Sequence, residues 1–307
     1  MNSNERRFAV VDVLYILIMV APILAGIVWK VITNPLRDGV SITGARILFT
    51  IPMPIQELPI TESQINSWLV VISVLGLCLF LTHELKVRAD TKRQHVVEWL
   101  VVKAEDLVRG NMGEYFMGFT PFIVAILALS ALSSLLSLFG LYPPTSDLNV
   151  TAGWALLVFI LITYYKMKCG PVHYLKSFAR PVPLLAPMNV LSEVATPLSM
   201  AFRHYGNILS GTVIAALVST GLRGLTRLLL GWLPGFLGEI PYLQIGIPAV
   251  LSIYFDLFSG CLQAYIFAML TMMYVSGGFP AELHFAKKKQ KEDQRYINKK
   301  LERVEHV

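Results

Sequence analysis

The sequence predicts an all-α polytopic membrane protein of about six membrane-embedded helices. The last two form a long tilted C-terminal hairpin, and one further amphipathic helix lies at the interface. Three observations carry this. Of 307 residues, 55% are hydrophobic and only 15% charged, far from the balance of a soluble domain. The charges are bunched into short stretches between apolar runs of roughly twenty residues, the length that crosses a bilayer core. The few ionisable residues inside those runs are concentrated late in the chain.

The first apolar run covers residues 8–31 behind Arg6 and Arg7. Its charged start resembles a signal peptide, but its length fits an uncleaved spanning helix; cleavage near Ala25 is the alternative. Residues 33–64 are rich in Pro and Gly, and the stretch IPMPIQELPIT is too broken by proline to stay helical. They form an extracytoplasmic connector. A second span covers residues 65–81. Beyond it, Val96, Val97, Leu100, Val101 and Ala104 fall near helical spacing in a charged stretch, as an interfacial amphipathic helix requires. Third and fourth spans cover 120–141 and 150–165, each followed by a proline-broken connector. The last two apolar regions, 187–222 and 244–275, exceed a perpendicular crossing, which predicts tilt or a helical hairpin.

Lys and Arg near span ends mark the cytoplasmic side. Arg6 and Arg7, residues 86–109, residues 166–180 and the charged tail 281–307 all fall there if the spans alternate, so the C-terminus is expected in the cytoplasm. Arg223 and Arg227 are the exceptions, expected in the outer turn of the last hairpin. The same placement removes nucleic acid as a partner, because the net charge of +6 reports topology. Cys78, Cys169 and Cys261 lack metal-ligand spacing, and no HExxH motif or transmembrane His pair is present. No metal or cofactor is expected, nor a nucleophile and base for intramembrane catalysis.

Arg203 lies near the middle of an apolar region, where an arginine costs about 2.5–3.5 kcal/mol on insertion scales. Distance from both ends argues against snorkelling; a buried ion pair is the other structural explanation. Ser199, Arg203 and Asn207 recur at steps of four and form a slowly drifting polar stripe, with Gly206, Ser210 and Gly211 as small neighbours that allow another helix to approach. A guanidinium stays charged and attracts a carboxylate without giving up its own proton. Glu193 either relays protons or faces water. Asp256, Gly260 and Gln263 lie along one face of the last region, since a seven-residue step is nearly two helical turns. An intramembrane carboxylate such as Asp256 marks an ion path. Gln263 either bonds Arg203, lines water or clasps a neighbouring helix. His204 either shuttles protons or, the plainer reading, fills space with one nitrogen bonded.

These residues are where the chain resembles the bacterial F-type ATP synthase a subunit, over residues 55–280. The run from Ser199 to Asn207 is similar to the family's signature of a small polar residue, an arginine four later, then aromatic-Gly-Asn. Gln263 with the residues after it is similar to the last-helix motif. Glu193, ten residues before the arginine, matches, and Asp147, Asn149 and Thr151 resemble the loop and start of a helix. ITESQINSW resembles the start of the family's usual first helix, so residues 1–32 look like an additional transmembrane segment and 65–280 like the family's membrane domain. His204 stands where many members have leucine, and Thr212 where many carry a carboxylate, a role that Asp256 takes over.

The resemblance implies two offset half-channels, each reaching the carboxylates of a rotating c-ring, with Arg203 preventing a leak between them. The ion is H⁺ or Na⁺. The remaining implied partners are the peripheral stalk subunit b, the rest of the synthase and membrane lipid, and the chain itself is non-catalytic. The rival class, a secondary transporter using Arg203 to bind an anionic substrate, would show internal repeats, and none is seen.

Overall fold

The computed structural model describes residues 3–33, 44–54, 57–83, 85–86, 91–168, 170, 174–175, 178, 183–232 and 242–279. Six helices in it are long and apolar enough to cross a membrane. The charged tail 281–307, Cys169 and Glu84 lie outside the described residues.

The first helix, α1 (Ser3–Thr33), runs unbroken through Pro22. Its exposed faces carry Val13, Leu17, Leu24 and Val28, an all-round apolar surface that water would not tolerate and lipid does. In the next segment Pro52 and Pro54 stand outside any helix. The chain there forms an antiparallel hairpin, β1 (Ile47–Ile51) and β2 (Leu58–Thr61), where composition predicts only a connector. α2 (Glu62–Thr82) follows directly, its start held by the Thr61 N–H donating to Gln64 Oε1 at 3.3 Å. Gly76 admits α1 closely, since a Cβ there would stand 2.6 Å from the Met19 backbone nitrogen.

α3 (Lys92–Met112) begins at Thr91, whose hydroxyl accepts from the Gln94 N–H, and ends at Gly113 with φ 81°. Its packed face is Gln94, Val108 and Met112. Val96, Leu100 and Val101 are exposed instead, as an interfacial helix with an apolar face turned to lipid would leave them. Arg93 donates to Asp12 of α1 at 3.0 Å and to the His83 carbonyl at 2.6 Å, tying three helices at one corner.

α4 (Thr120–Leu135) starts with proline in its first turn and tightens into a 3₁₀ turn, Leu136–Phe139, that stops at Gly140 with φ 71°. α5 (Leu148–Met167) is capped by Asp147. α6 (Ala186–Leu230) has 45 residues; at about 1.5 Å each they reach roughly 67 Å, twice the hydrocarbon thickness, so it must tilt. Arg223 and Arg227 fall inside this helix, which corrects the expectation that they sit in the hairpin turn. Gly221 and Gly224 only weaken a helix, and no proline stands between Leu222 and Leu230 to stop it.

The last span is continuous from Tyr242 to Gly277, with α7 (Tyr242–Ser252) and α8 (Gly260–Gly277) joined by a π-helical segment, Ile253–Ser259. Phe267, Ala268, Met272 and Val275 of α8 bury against Val108, Ile123, Val158, Met200 and Ala201 from α3 to α6. One end of this core is closed by rings: Tyr115 stacks on Phe279 at 4.7 Å, and Phe116 meets Phe279 edge-on at 5.5 Å. The opposite end carries the β-hairpin and the loop before α5.

Candidate functional site

α6 divides its residues by face. Met200, Ala201, His204, Ile208 and Gly211 are buried against the bundle, a spacing of one, three, four and three that a helix stripe demands. Ser199 and Arg203 lie exposed on the other side. Arg203 forms no hydrogen bond or ion pair with any described residue, so the buried ion pair that would explain it as structure is absent among them. Its neighbour His204, about 100° further round the helix, points inward and is fully buried. The His204 Nε2 meets the Ser130 hydroxyl at 3.3 Å, and its ring stands edge-on to Trp154 and Phe267 at 5.9 and 5.6 Å. That supports the packing reading of His204, although Nδ1 is left without a partner.

One turn on, the stripe drifts into contact with the last span. The Asn207 amide donates to the Ser259 carbonyl at 3.3 Å and accepts from the Ser259 hydroxyl at 3.0 Å. Small residues permit the approach: a Cβ on Gly211 would come within 3.1 Å of Phe255. Gln263 is buried and makes no hydrogen bond to Arg203.

Asp256 sits half-buried within the π segment, beside the Ser137 hydroxyl. A π turn is wider than an α turn, so the regular helical face assumed for Asp256, Gly260 and Gln263 is rewound at Asp256 itself. Gly260 and Gln263 remain together on the buried side. A Cβ on Gly260 would lie 2.8 Å from Ser134 Cβ.

From sequence α4 reads as the third span, and its serines carry no expected role. Ser130, Ser133 and Ser134 of α4, with Ser137 of the 3₁₀ turn that follows, stand at intervals of three, one and three and make one polar face in an otherwise apolar run; the first three are buried. That spacing was the available signal. Ser134 meets Thr145 at 3.3 Å, and the seam continues to the loop before α5. There Ser63 of α2 donates to Asp147, Asn66 donates to the Tyr142 carbonyl at 2.8 Å, and the Asn149 N–H donates to Asp147 at 2.9 Å. Asp147 thus caps α5, with Asn149 supplying the capped backbone N–H. Burial pushes the Tyr142 phenol above the ordinary tyrosine range, and the charge of Asp147 adds to the shift.

Toward the opposite end, Glu193 of α6 has a basic partner. Lys166 of α5 reaches both of its oxygens, at 2.8 and 2.6 Å. The lysine stem crosses Gly278, where a Cβ would lie 3.0 Å from Lys166 Cε. The pair borders a cavity of about 200 Å³ together with Thr196, Tyr274 and Gly277. Nearby, Lys168 donates to the Tyr115 hydroxyl at 2.6 Å and lies over the Tyr115 and Tyr165 rings, at 5.2 Å from each. That hydrogen bond leads the effects holding its pKa above the usual lysine value.

Two polar groups therefore lie toward opposite ends of the bundle, with Arg203 between them on an open face. Ten residues separate Glu193 from Arg203, about 15 Å of helical rise. Among the described residues no cluster of side chains suits a metal ion.

The pattern of the ATP synthase A chain family matches residues 64–276, most of the chain. The chain is similar to ATP synthase subunit a of Bacillus pumilus, 34% identical over 67% of this chain and 86% of the relative. It is also similar to subunit a of Legionella pneumophila, at 29% over 73% and 89%, and of Priestia megaterium, at 32% over 72% and 94%. The chain belongs to the ATP synthase A chain family.

Proposed function

We propose that this multi-pass plasma-membrane protein, a static proton-translocating subunit of an F-type ATP synthase, works through two offset half-channels that serve the carboxylates of a c-ring. Arg203 stands between the half-channels. The observation that carries the proposal is the exposure of Arg203 in mid-span without an acidic partner among the described residues. A charge so placed is costly unless a carboxylate comes to it from another chain.

On this reading the serine face of α4, with Asp256, Thr145 and Asp147, lines the outer path. Glu193 with Thr196 borders the inner one. Asn207 and Gln263 lie between. The positive residues of the α3 end, Lys92, Arg93, Lys103, Arg109, Lys166 and Lys168, support a cytoplasmic side for that end and for the C-terminus. A proton arriving from outside neutralises a ring carboxylate and lets it enter lipid; the ring acid that gives up its proton on the inner side pairs with Arg203. The membrane potential supplies about 2.3 kcal/mol per charge for each 100 mV, and the fixed guanidinium blocks the path that would dissipate it. The chain itself turns over no substrate; rotation drives catalysis elsewhere, and subunit b holds this chain still.

The test is Arg203→Ala in membrane vesicles. Coupled ATP synthesis should fall to background while the complex, with its c-ring, still assembles on a native gel. Synthesis at the wild-type rate would overturn the proposal.

A further inference from the structure

The helix α1 lies outside the segment that matches the family, and it creates a groove that the ion path does not use. Near its C-terminal end, α1, the hairpin and α2 enclose a cavity of about 600 Å³. The charged residues lining it are Lys30, Arg46 and Glu62, and its apolar wall includes Trp29, Phe49 and Leu69. The Glu62 N–H donates to the Arg46 carbonyl at 2.8 Å, which holds their backbones side by side, and both residues line the cavity. Deeper along the same helices a second cavity, about 430 Å³, is lined almost wholly by hydrocarbon from α1, α2 and α4, among them Met19, Ile23, Leu77 and Leu132.

The two cavities follow one another in depth. Lys30 lines the upper and Met19 the lower, and the eleven-residue step from one to the other rises about 16 Å. That is close to half of the roughly 30 Å hydrocarbon core. Ile27, Val70 and Leu136 line the lower cavity and Leu141 the upper, and the four pack into one cluster, an apolar wall shared by both. Gly26 lets this packing in, since a Cβ there would press Leu69 at 2.9 Å.

A ligand matched to this groove has a head with both signs of charge and an apolar tail about one leaflet long. We infer that the groove between α1, the hairpin and α2 binds an aminophospholipid of the outer leaflet. Its phosphate lies between Lys30 and Arg46, its ammonium against Glu62, and an acyl chain runs down to Met19. Lysine and arginine are phosphate donors, and a primary ammonium gives a carboxylate the charge-assisted bond that a glycerol head cannot. Trp29 at the rim suits the headgroup level, where amphipathic rings collect. The site shares only a wall with the outer path, at Asn66, which lines the upper cavity and donates to the Tyr142 carbonyl.

The test uses the intact complex, stripped of lipid and offered equal amounts of phosphatidylethanolamine, phosphatidylcholine and phosphatidylglycerol, with retained lipid counted by native mass spectrometry. The wild type should keep one phosphatidylethanolamine per copy of this chain, about tenfold over phosphatidylglycerol. Glu62→Gln should erase that preference, Lys30→Gln should lower retention of every headgroup, and Ile23→Trp, which fills the lower cavity without changing charge, should expel the lipid. If Lys30→Gln prevents assembly, the headgroup preference and Ile23→Trp still decide. Equal retention by wild type and Ile23→Trp would overturn the site, as would equal retention of the three lipids by the wild type. So would a photoreactive group placed at Trp29 that captures another subunit in place of lipid.

Discussion

Arg203 and His204 show how adjacent residues on one helix take opposite duties. The helical step of about 100° sends the guanidinium to the open face and the imidazole into the core, between Ser130, Trp154 and Phe267. Neither direction could be read from the residue types, because both suit a buried polar site. Asp256 was legible as an intramembrane acid, and its setting beside Ser137 gives it a specific prediction. Asp256→Asn should slow proton uptake in vesicles by tenfold or more while assembly stays near wild type; unaltered acidification rates would remove Asp256 from the outer path. Glu193 was legible as a candidate, but its ion pair with Lys166 was not, since the two stand 27 residues apart on different helices.

At the scale of elements, the span boundaries were readable because lipid demands runs of apolar residues with internally bonded backbones. What composition leaves open is the winding inside a span. The π segment Ile253–Ser259 has no proline or glycine to announce it, and it resets the face on which Asp256 appears relative to Gln263. Gly260, at the junction, meets Ser134 where a single added carbon would be too close. Gly260→Leu should therefore wedge α4 from α8 and lower both assembly and proton flow, whereas Gly260→Ala should cost about 1–3 kcal/mol, the usual range for overpacking. Denaturation midpoints of the complex check the second value, and a midpoint for Gly260→Ala equal to wild type would show that α4 yields freely. The contribution from Lys168 follows its raised pKa: it is fully present below the ordinary lysine pKa and lost only as pH climbs past the higher folded value.

For the whole molecule, the positive residues of the α3 end and the hairpin at the other end imply a topology that labelling can read. In a background lacking Cys78, Cys169 and Cys261, Tyr115→Cys should react with a membrane-impermeant maleimide only in inverted vesicles, and Phe49→Cys only in right-side-out ones. The reverse pattern would invert the assignment of the half-channels. By itself the sequence determined the class of molecule, the approximate spans and the mid-membrane Arg203, because the hydrophobic length of a bilayer and the cost of a buried charge act on local runs of residues. Only the tertiary structure decided which polar groups share a path and which merely cap or clasp. The serine face of α4, the Lys166–Glu193 pair, the inward His204 and the groove beside α1 each depend on contacts between helices distant in sequence. Close packing of side chains sets those contacts, and apolar periodicity carries no record of them.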